Sequence, residues 1–157
     1  MNTNNQPLLT ICIPVYGTQM FLPKLLDSIK NEVTAFKEQL PTFCQEKFSS
    51  IDQSSINEFL TLVSSYKVLF EVIIVDDGTQ ERKAKKALYT AIKEVQKDFR
   101  KNCNTNIILI EHSRNLGLLE ARRTAVLQAK GKWCIFVDSD DELSEHSITC
   151  LLCNAYF

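Results

Sequence analysis

Hydrophobic positions fall into two alternating kinds of spacing along this chain. Leu8 to Val15 is a short apolar run rich in β-branched residues, which predicts a buried strand. After Gly17 the spacing turns helical, with Phe21, Leu22, Leu25, Leu26, Ile29, Val33 and Phe36 recurring every three or four positions. Thr18 is placed to cap that helix, Pro23 is tolerated in its first turn, and Pro41 is expected to end it. Residues 42 to 66 are polar, with a weaker helical pattern at Ile56, Phe59, Leu60 and Val63 that Ser54 or Ser55 would cap. Val68 to Val75 predicts a second strand, running into Asp76-Asp77-Gly78. A helix follows, with Ala84, Leu88, Ala91, Ile92, Val95 and Phe99 on one face and a dense row of lysines opposite. Asn106 to Ile110 predicts a third strand, His112 to Gly117 a loop and Leu118 to Lys130 a helix. Lys132 to Val137 predicts a fourth strand that ends in Asp138-Ser139-Asp140-Asp141, and Ser144 then caps a last apolar helix.

Strands alternating with helices imply βαβ units and right-handed crossovers. The expected fold is therefore α/β, a three-layer α/β/α sandwich with a mostly parallel sheet. The length of 157 residues fits a single domain, 1–157, whose stretch at about 30–69 is expected to be helical and peripheral.

Composition narrows the function classes. A hydrophobic fraction of 45% argues against disorder. The net charge of −1 lacks the basic field of a nucleic-acid binder or a polybasic membrane-surface protein, so no nucleic-acid partner is expected. The lysine face of the third helical segment reads as solvated, because Glu81, Glu94 and Asp98 are interspersed. No apolar run approaches the ~20 residues of a transmembrane segment, and Met1 to Pro7 lacks the features of a signal peptide. The 6 cysteines are then expected as reduced thiols, with Cys12 and Cys134 in the core. Cys150 and Cys153 read as two small residues on one helix face rather than zinc ligands. Such a chain is expected in the cytoplasm, either free or peripheral at the inner face of a membrane.

An α/β sheet places its ligand beyond the carboxyl ends of its strands. Three of the four predicted strands end there in Pro14-Val15-Tyr16-Gly17, Asp76-Asp77-Gly78 and Asp138-Ser139-Asp140-Asp141. Gathered carboxylates repel, by about 4 kcal/mol per pair 4 Å apart at an effective dielectric near 20, and a bound cation offsets that cost. Asp138 and Asp140 suit Mg²⁺ or Mn²⁺, which take one or two protein carboxylates and fill their other positions with phosphate oxygens and water. An acidic turn that merely caps the next helix is the competing reading of the same residues. Four scattered glycines supply no phosphate-binding Gly-rich turn. His112 and His146 pair with no nearby nucleophile and read as surface or capping residues.

The four segments LTICIPVYG (Leu9 to Gly17), FEVIIVDDGT (Phe70 to Thr79), NLGLLEARRT (Asn115 to Thr124) and GKWCIFVDSDD (Gly131 to Asp141) occur in that order. Together they resemble the nucleotide-sugar-binding half of family 2 glycosyltransferases, inverting enzymes of the GT-A fold. The resemblance covers most of residues 8 to 150, apart from the stretch between Ile29 and Phe70. It implies transfer of a sugar from a nucleotide-sugar, with a UDP-sugar the expected donor, to an unknown glycan or lipid-linked acceptor. It places Pro14, Val15 and Tyr16 against the nucleotide base, where an aromatic ring suits the flat face of a base. Asp77 would accept from the base N–H, Asp76 would support the turn or the ribose, and Arg122 would lie near the base or the diphosphate. Asp138 would approach the ribose or the metal, and Asp140 would ligate the metal that bridges the two phosphates.

Gly17 and Arg123 stand where the family commonly has Asn, and Ala125 where it commonly has Gly. Family members continue past the DSDD motif into a region that binds acceptor and supplies the catalytic base. No such base is found in this chain, because Glu142 and Glu145 sit too close to the metal motif. The expectation is a donor-binding half that binds donor weakly and by itself transfers no sugar, with a non-catalytic nucleotide-sugar-binding or protein-interaction module as the alternative. The last helix, deprived of partners, is expected to expose Leu151, Leu152, Tyr156 and Phe157 and to promote self-association.

Overall fold

A computed structural model describes residues 6–102 and 104–157. The polar start at Met1 to Pro7 lies mostly outside the described residues. Nine elements follow in order: β1 (Leu9–Val15), α1 (Leu22–Lys47), α2 (Gln53–Ser65), β2 (Phe70–Asp76), α3 (Arg82–Asn102), β3 (Asn106–Glu111), α4 (Leu118–Gln128), β4 (Trp133–Phe136) and α5 (Ser147–Tyr156). The four strands form one parallel sheet in the order β3-β2-β1-β4.

That order dictates the layers. From β1 to β3 the chain steps in one direction across the sheet, so right-handed crossovers place α1 and α3 on one face. It then returns past β1 to reach β4, and the same handedness puts α4 on the other face. Leu9, Ile11, Ile13, Phe70, Val72 and Ile74 point into the larger core with α1 and α3. Cys12, Ile73 and Val75 point the other way, onto Ala121 and Ala125 of α4. Both central strands are buried along their whole length, which is why they read as mostly apolar runs; the polar residues inside them, Thr10 and Glu71, lie side by side, and the Thr10 hydroxyl donates to Glu71 at 2.8 Å.

Several local expectations are overturned by contacts distant in sequence. Pro41 does not end the first helix; α1 runs through it to Lys47. Proline removes one N–H and so frees the carbonyl of Lys37, but both residues lie on the exposed side, where water can bond it. Burial of Leu40, Phe43 and Cys44 on the opposite side offsets the cost. The stretch 30–69 is helical, as expected, yet not peripheral: Val33, Phe36, Ile56, Phe59 and Val63 belong to the main core.

The caps also differ. Thr18 gives its backbone carbonyl to Phe21, and α1 starts without a side-chain cap. Asp52, not Ser54 or Ser55, caps α2 by accepting from the N–H of Ser55 at 2.9 Å. At α5 the cap comes from another helix. The buried Glu32 of α1 accepts from the N–H of His146 at 2.9 Å and of Ile148 at 3.0 Å, while Ser144 bonds only Ser147.

Nor does α5 lack partners. Tyr156 stacks on Phe59, Phe157 packs on Phe48 and Phe59, and Leu152 is buried, so only Leu151 of the expected patch is exposed. Cys153 is buried 3.6 Å from Cys44, whereas Cys150 faces out. Cys134 was expected in the core but is exposed, since β4 pairs with β1 alone at the edge of the described sheet; its sulfur lies 3.2 Å from that of Cys12. No described helix is long and apolar enough to cross a membrane.

Candidate functional site

The switch in chain direction falls between β1 and β4, so a crevice opens beyond the carboxyl ends of those strands. Its floor is built by the turn after β2. The N–H of Asp77 donates to the carbonyl of Val15, and the N–H of His112 donates to the carbonyl of Asp76, both at 2.9 Å. The three strand ends are thereby held level. Asp76 points to the α1/α3 side, where one carboxylate oxygen accepts from the N–H and the hydroxyl of Thr79, at 3.1 and 2.5 Å. Its other oxygen is buried with no partner among the described residues.

Asp77 faces the crevice and is almost fully enclosed. Its Oδ1 accepts from Nδ1 of His112 at 2.7 Å and from the N–H of Leu116 at 2.9 Å. Its Oδ2 accepts from the N–H of Gly117 at 2.8 Å, where α4 begins. Burial pushes this carboxyl up, but the hydrogen bonds from His112, Leu116 and Gly117 outweigh it and hold the group below the usual carboxylate range. A carboxylate only accepts, so Nδ1 of His112 carries a proton; Nε2 lies 2.9 Å from the hydroxyl of Thr124 on α4. One side chain thus ties β2, β3 and α4 together.

Gly78 makes that closeness possible. It has φ +80°, and a Cβ there would lie 2.0 Å from the backbone carbon of Arg114. No other residue type lets the two loops approach so far.

The opposite wall comes from β4. The N–H of Asp141 donates to the carbonyl of Asp138 at 3.0 Å, closing a tight turn that presents Asp138 and Asp140. Arg122 of α4 donates to Asp138 at 2.8 Å and lies over the ring of Phe136. The hydroxyls of Thr18 and Ser139 meet across the crevice floor.

The crevice is about 340 Å³, open to solvent, and is lined by Pro14, Val15, Tyr16, Asp77, Asp138 and Asp140 together with residues of the Thr18, Asn115–Ala121 and Ser139 segments. Tyr16 is 56% exposed and stands between this cavity and a second one of about 550 Å³ toward α3. Of the residues picked out in the sequence, Asp76 and Arg122 do not line the crevice. Asp76 braces the turn beneath it, and Arg122 backs Asp138. Asp138 and Asp140 share one wall with oxygen donors only, a set that fits a hard divalent cation sharing its shell with phosphates. Among the described residues no group of three or more His, Cys, Asp or Glu is poised to hold a metal.

His112, expected as a surface or capping residue, is instead a largely buried partner of Asp77. Strand register, which only the folded sheet sets, brings it there. Asp76 pairs with Glu111, so the residue after each lies side by side at the strand ends.

The model of glycosyl transferase family 2 matches residues 10–152 of the chain. The chain is 30% identical over 132 residues to the dolichyl-phosphate β-glucosyltransferase of Dictyostelium discoideum, covering 84% of this chain and 30% of that protein. It is 26% identical over 141 residues to the poly(ribitol-phosphate) β-glucosyltransferase of Bacillus spizizenii, covering 89% of this chain and 16% of the relative. The crystal structure of S. aureus TarS 1–349 superposes with a TM-score of 0.54 at 18% identity, covering 92% of this chain and 31% of that one. That likeness is one of fold. The chain spans about a third or less of each of these proteins.

Proposed function

The chain belongs to glycosyl transferase family 2, and from that premise we propose that its carboxyl-edge crevice binds a nucleoside diphosphate sugar, with a UDP-sugar as the donor. The supporting observation is that Tyr16, Asp77, Asp138 and Asp140, drawn from three strand ends, line one cavity. In this reading the base stacks on Tyr16 and packs on Pro14 and Val15. A carboxylate has about four acceptor positions, and the three donors on Asp77 leave one, on Oδ2, for the N–H of the base. Asp76 keeps the turn in place. Arg122 occupies one oxygen of Asp138 and leaves the other for the ribose or an ion.

We assign Asp140, with Asp138, to Mg²⁺ or Mn²⁺ carried with the diphosphate. When bound, the ion stabilises the negative charge that develops on the departing nucleoside diphosphate. Inverting transfer also needs a base within about 3 Å of the acceptor hydroxyl's proton. The carboxylates lining the cavity are all assigned to the donor and the ion, so this reading gives the chain donor binding and no transfer by itself. A glycan or lipid-linked acceptor is expected; the two relatives above are named for dolichyl phosphate and poly(ribitol phosphate).

Calorimetry with UDP, with and without Mn²⁺, tests the reading. Asp140→Ala removes the metal dependence, and Tyr16→Ala weakens binding by about 1–3 kcal/mol in either condition. UDP affinity unchanged by both substitutions refutes the crevice as the donor site.

A further inference from the structure

Helix α3 presents a surface that the crevice does not use. Eight of the chain's 18 basic residues lie on it against two acidic ones, on a chain whose net charge is −1. At about 100° of rotation per residue, Arg82, Lys86, Lys93, Lys97 and Arg100 fall within an arc of roughly 60°, with Lys83 and Lys101 at its edge. All seven are exposed, and none forms an ion pair with a described residue. The eighth, Lys85, turns instead to Glu111 of β3. Leu88, Ala91, Ile92, Val95 and Phe99 are buried on the far side, and Glu94 and Asp98 lie on the border between the two faces. The acidic residues that made this helix read as evenly solvated are therefore displaced from the cationic stripe. The whole-chain charge conceals a straight, one-sided row about 28 Å long at 1.5 Å per residue.

One exposed apolar side chain stands beside the N-terminal half of this row, and a second follows it in sequence. Met20 is 76% exposed and shares a shallow cavity with Lys83, Lys86 and Ala87 of α3, at whose far end Glu94 stands. Phe21, next to it in the turn before α1, is 46% exposed. Flat cationic rows with protruding apolar groups suit a planar anionic surface that has hydrocarbon beneath it. A soluble polyanion would satisfy the cations but would offer nothing to Met20 and Phe21.

We propose that α3, together with Met20 and Phe21, is a docking surface for a bilayer containing anionic lipids. The cavity between Tyr16 and α3 joins this surface to the rim of the crevice, so docking brings the crevice to the lipid boundary. The proposal does not depend on what the crevice binds.

Flotation of the full chain with vesicles of phosphatidylcholine, with and without phosphatidylglycerol, tests it. The chain partitions onto the vesicles containing phosphatidylglycerol and is released by high salt. Each neutralised cation lowers partitioning about fivefold, so the combined Lys86→Gln, Lys93→Gln, Lys97→Gln variant loses about 100-fold. Met20→Ser with Phe21→Ser loses about tenfold or more. All these positions are exposed, and unchanged thermal unfolding confirms that the variants are folded. Partitioning of the triple variant equal to wild type overturns the proposal. So does a Met20→Ser, Phe21→Ser variant that binds like wild type and is displaced by soluble polyphosphate, because α3 then serves a soluble polyanion.

Discussion

Replacing Asp77 by asparagine changes a single atom type in a side chain that is 4% exposed and accepts three hydrogen bonds. The better orientation of the amide keeps its oxygen at the position where His112 and Leu116 both donate. Its NH₂ then faces the N–H of Gly117, and that charge-assisted bond, worth about 1.5–3 kcal/mol, is lost. The N–H of Gly117 retains Asn115 as a second acceptor at 2.9 Å, which moderates the loss. The two surviving bonds weaken by about half when their acceptor loses its charge. A total of about 3 kcal/mol follows. In urea unfolding, with a slope of about 2 kcal/mol/M, the midpoint falls by about 1.5 M. The pH dependence has a definite sign. The folded carboxyl of Asp77 lies below its usual range, so its stabilisation is complete above the unfolded value of about 3.9 and is lost as pH falls through the folded value. Asparagine does not titrate. The gap between wild type and variant is therefore constant near neutrality and narrows below about pH 4. Equal midpoints at neutral pH, or a gap that widens in acid, would refute the role given to this carboxylate.

Two further substitutions probe the scaffold. Gly17 and Gly78 share a positive φ, but a Cβ at Gly17 meets nothing within 4 Å while one at Gly78 meets backbone at 2.0 Å. Gly17→Ala is expected to cost about 1–2 kcal/mol and Gly78→Ala about 4 kcal/mol or more, measured by chemical denaturation; similar costs at both sites would mean the loops of Gly78 and Arg114 are not in contact. Glu32→Gln sets an NH₂ against the N–H of His146 or Ile148 and is expected to lower stability by about 1.5–3 kcal/mol. Hydrogen exchange should rise first in α5, and uniform exchange across the chain would count against a cap made by Glu32.

Local sequence determined the elements and their order, because the signals that carry them are short in range. β1 and β2 are buried on both faces, so their residues are mostly apolar, and the helices repeat every three or four positions because one side of each is buried against the sheet or another helix. Alternation of the two kinds implies a parallel sheet, and a parallel sheet places the DDG and DSDD turns at one edge. Tertiary structure decided whatever depends on partners far along the chain. The cap of α5 lies 114 positions from the N–H it satisfies, and nothing near Ser144 announces it. Pro41 stays inside α1 because distant residues bury the opposite face. His112 becomes a partner of Asp77 only through the register of β2 and β3, and Cys134 is exposed because β4 has one neighbour among the described strands. Propensity and periodicity act within a few residues, while caps, registers and faces are set by which elements meet.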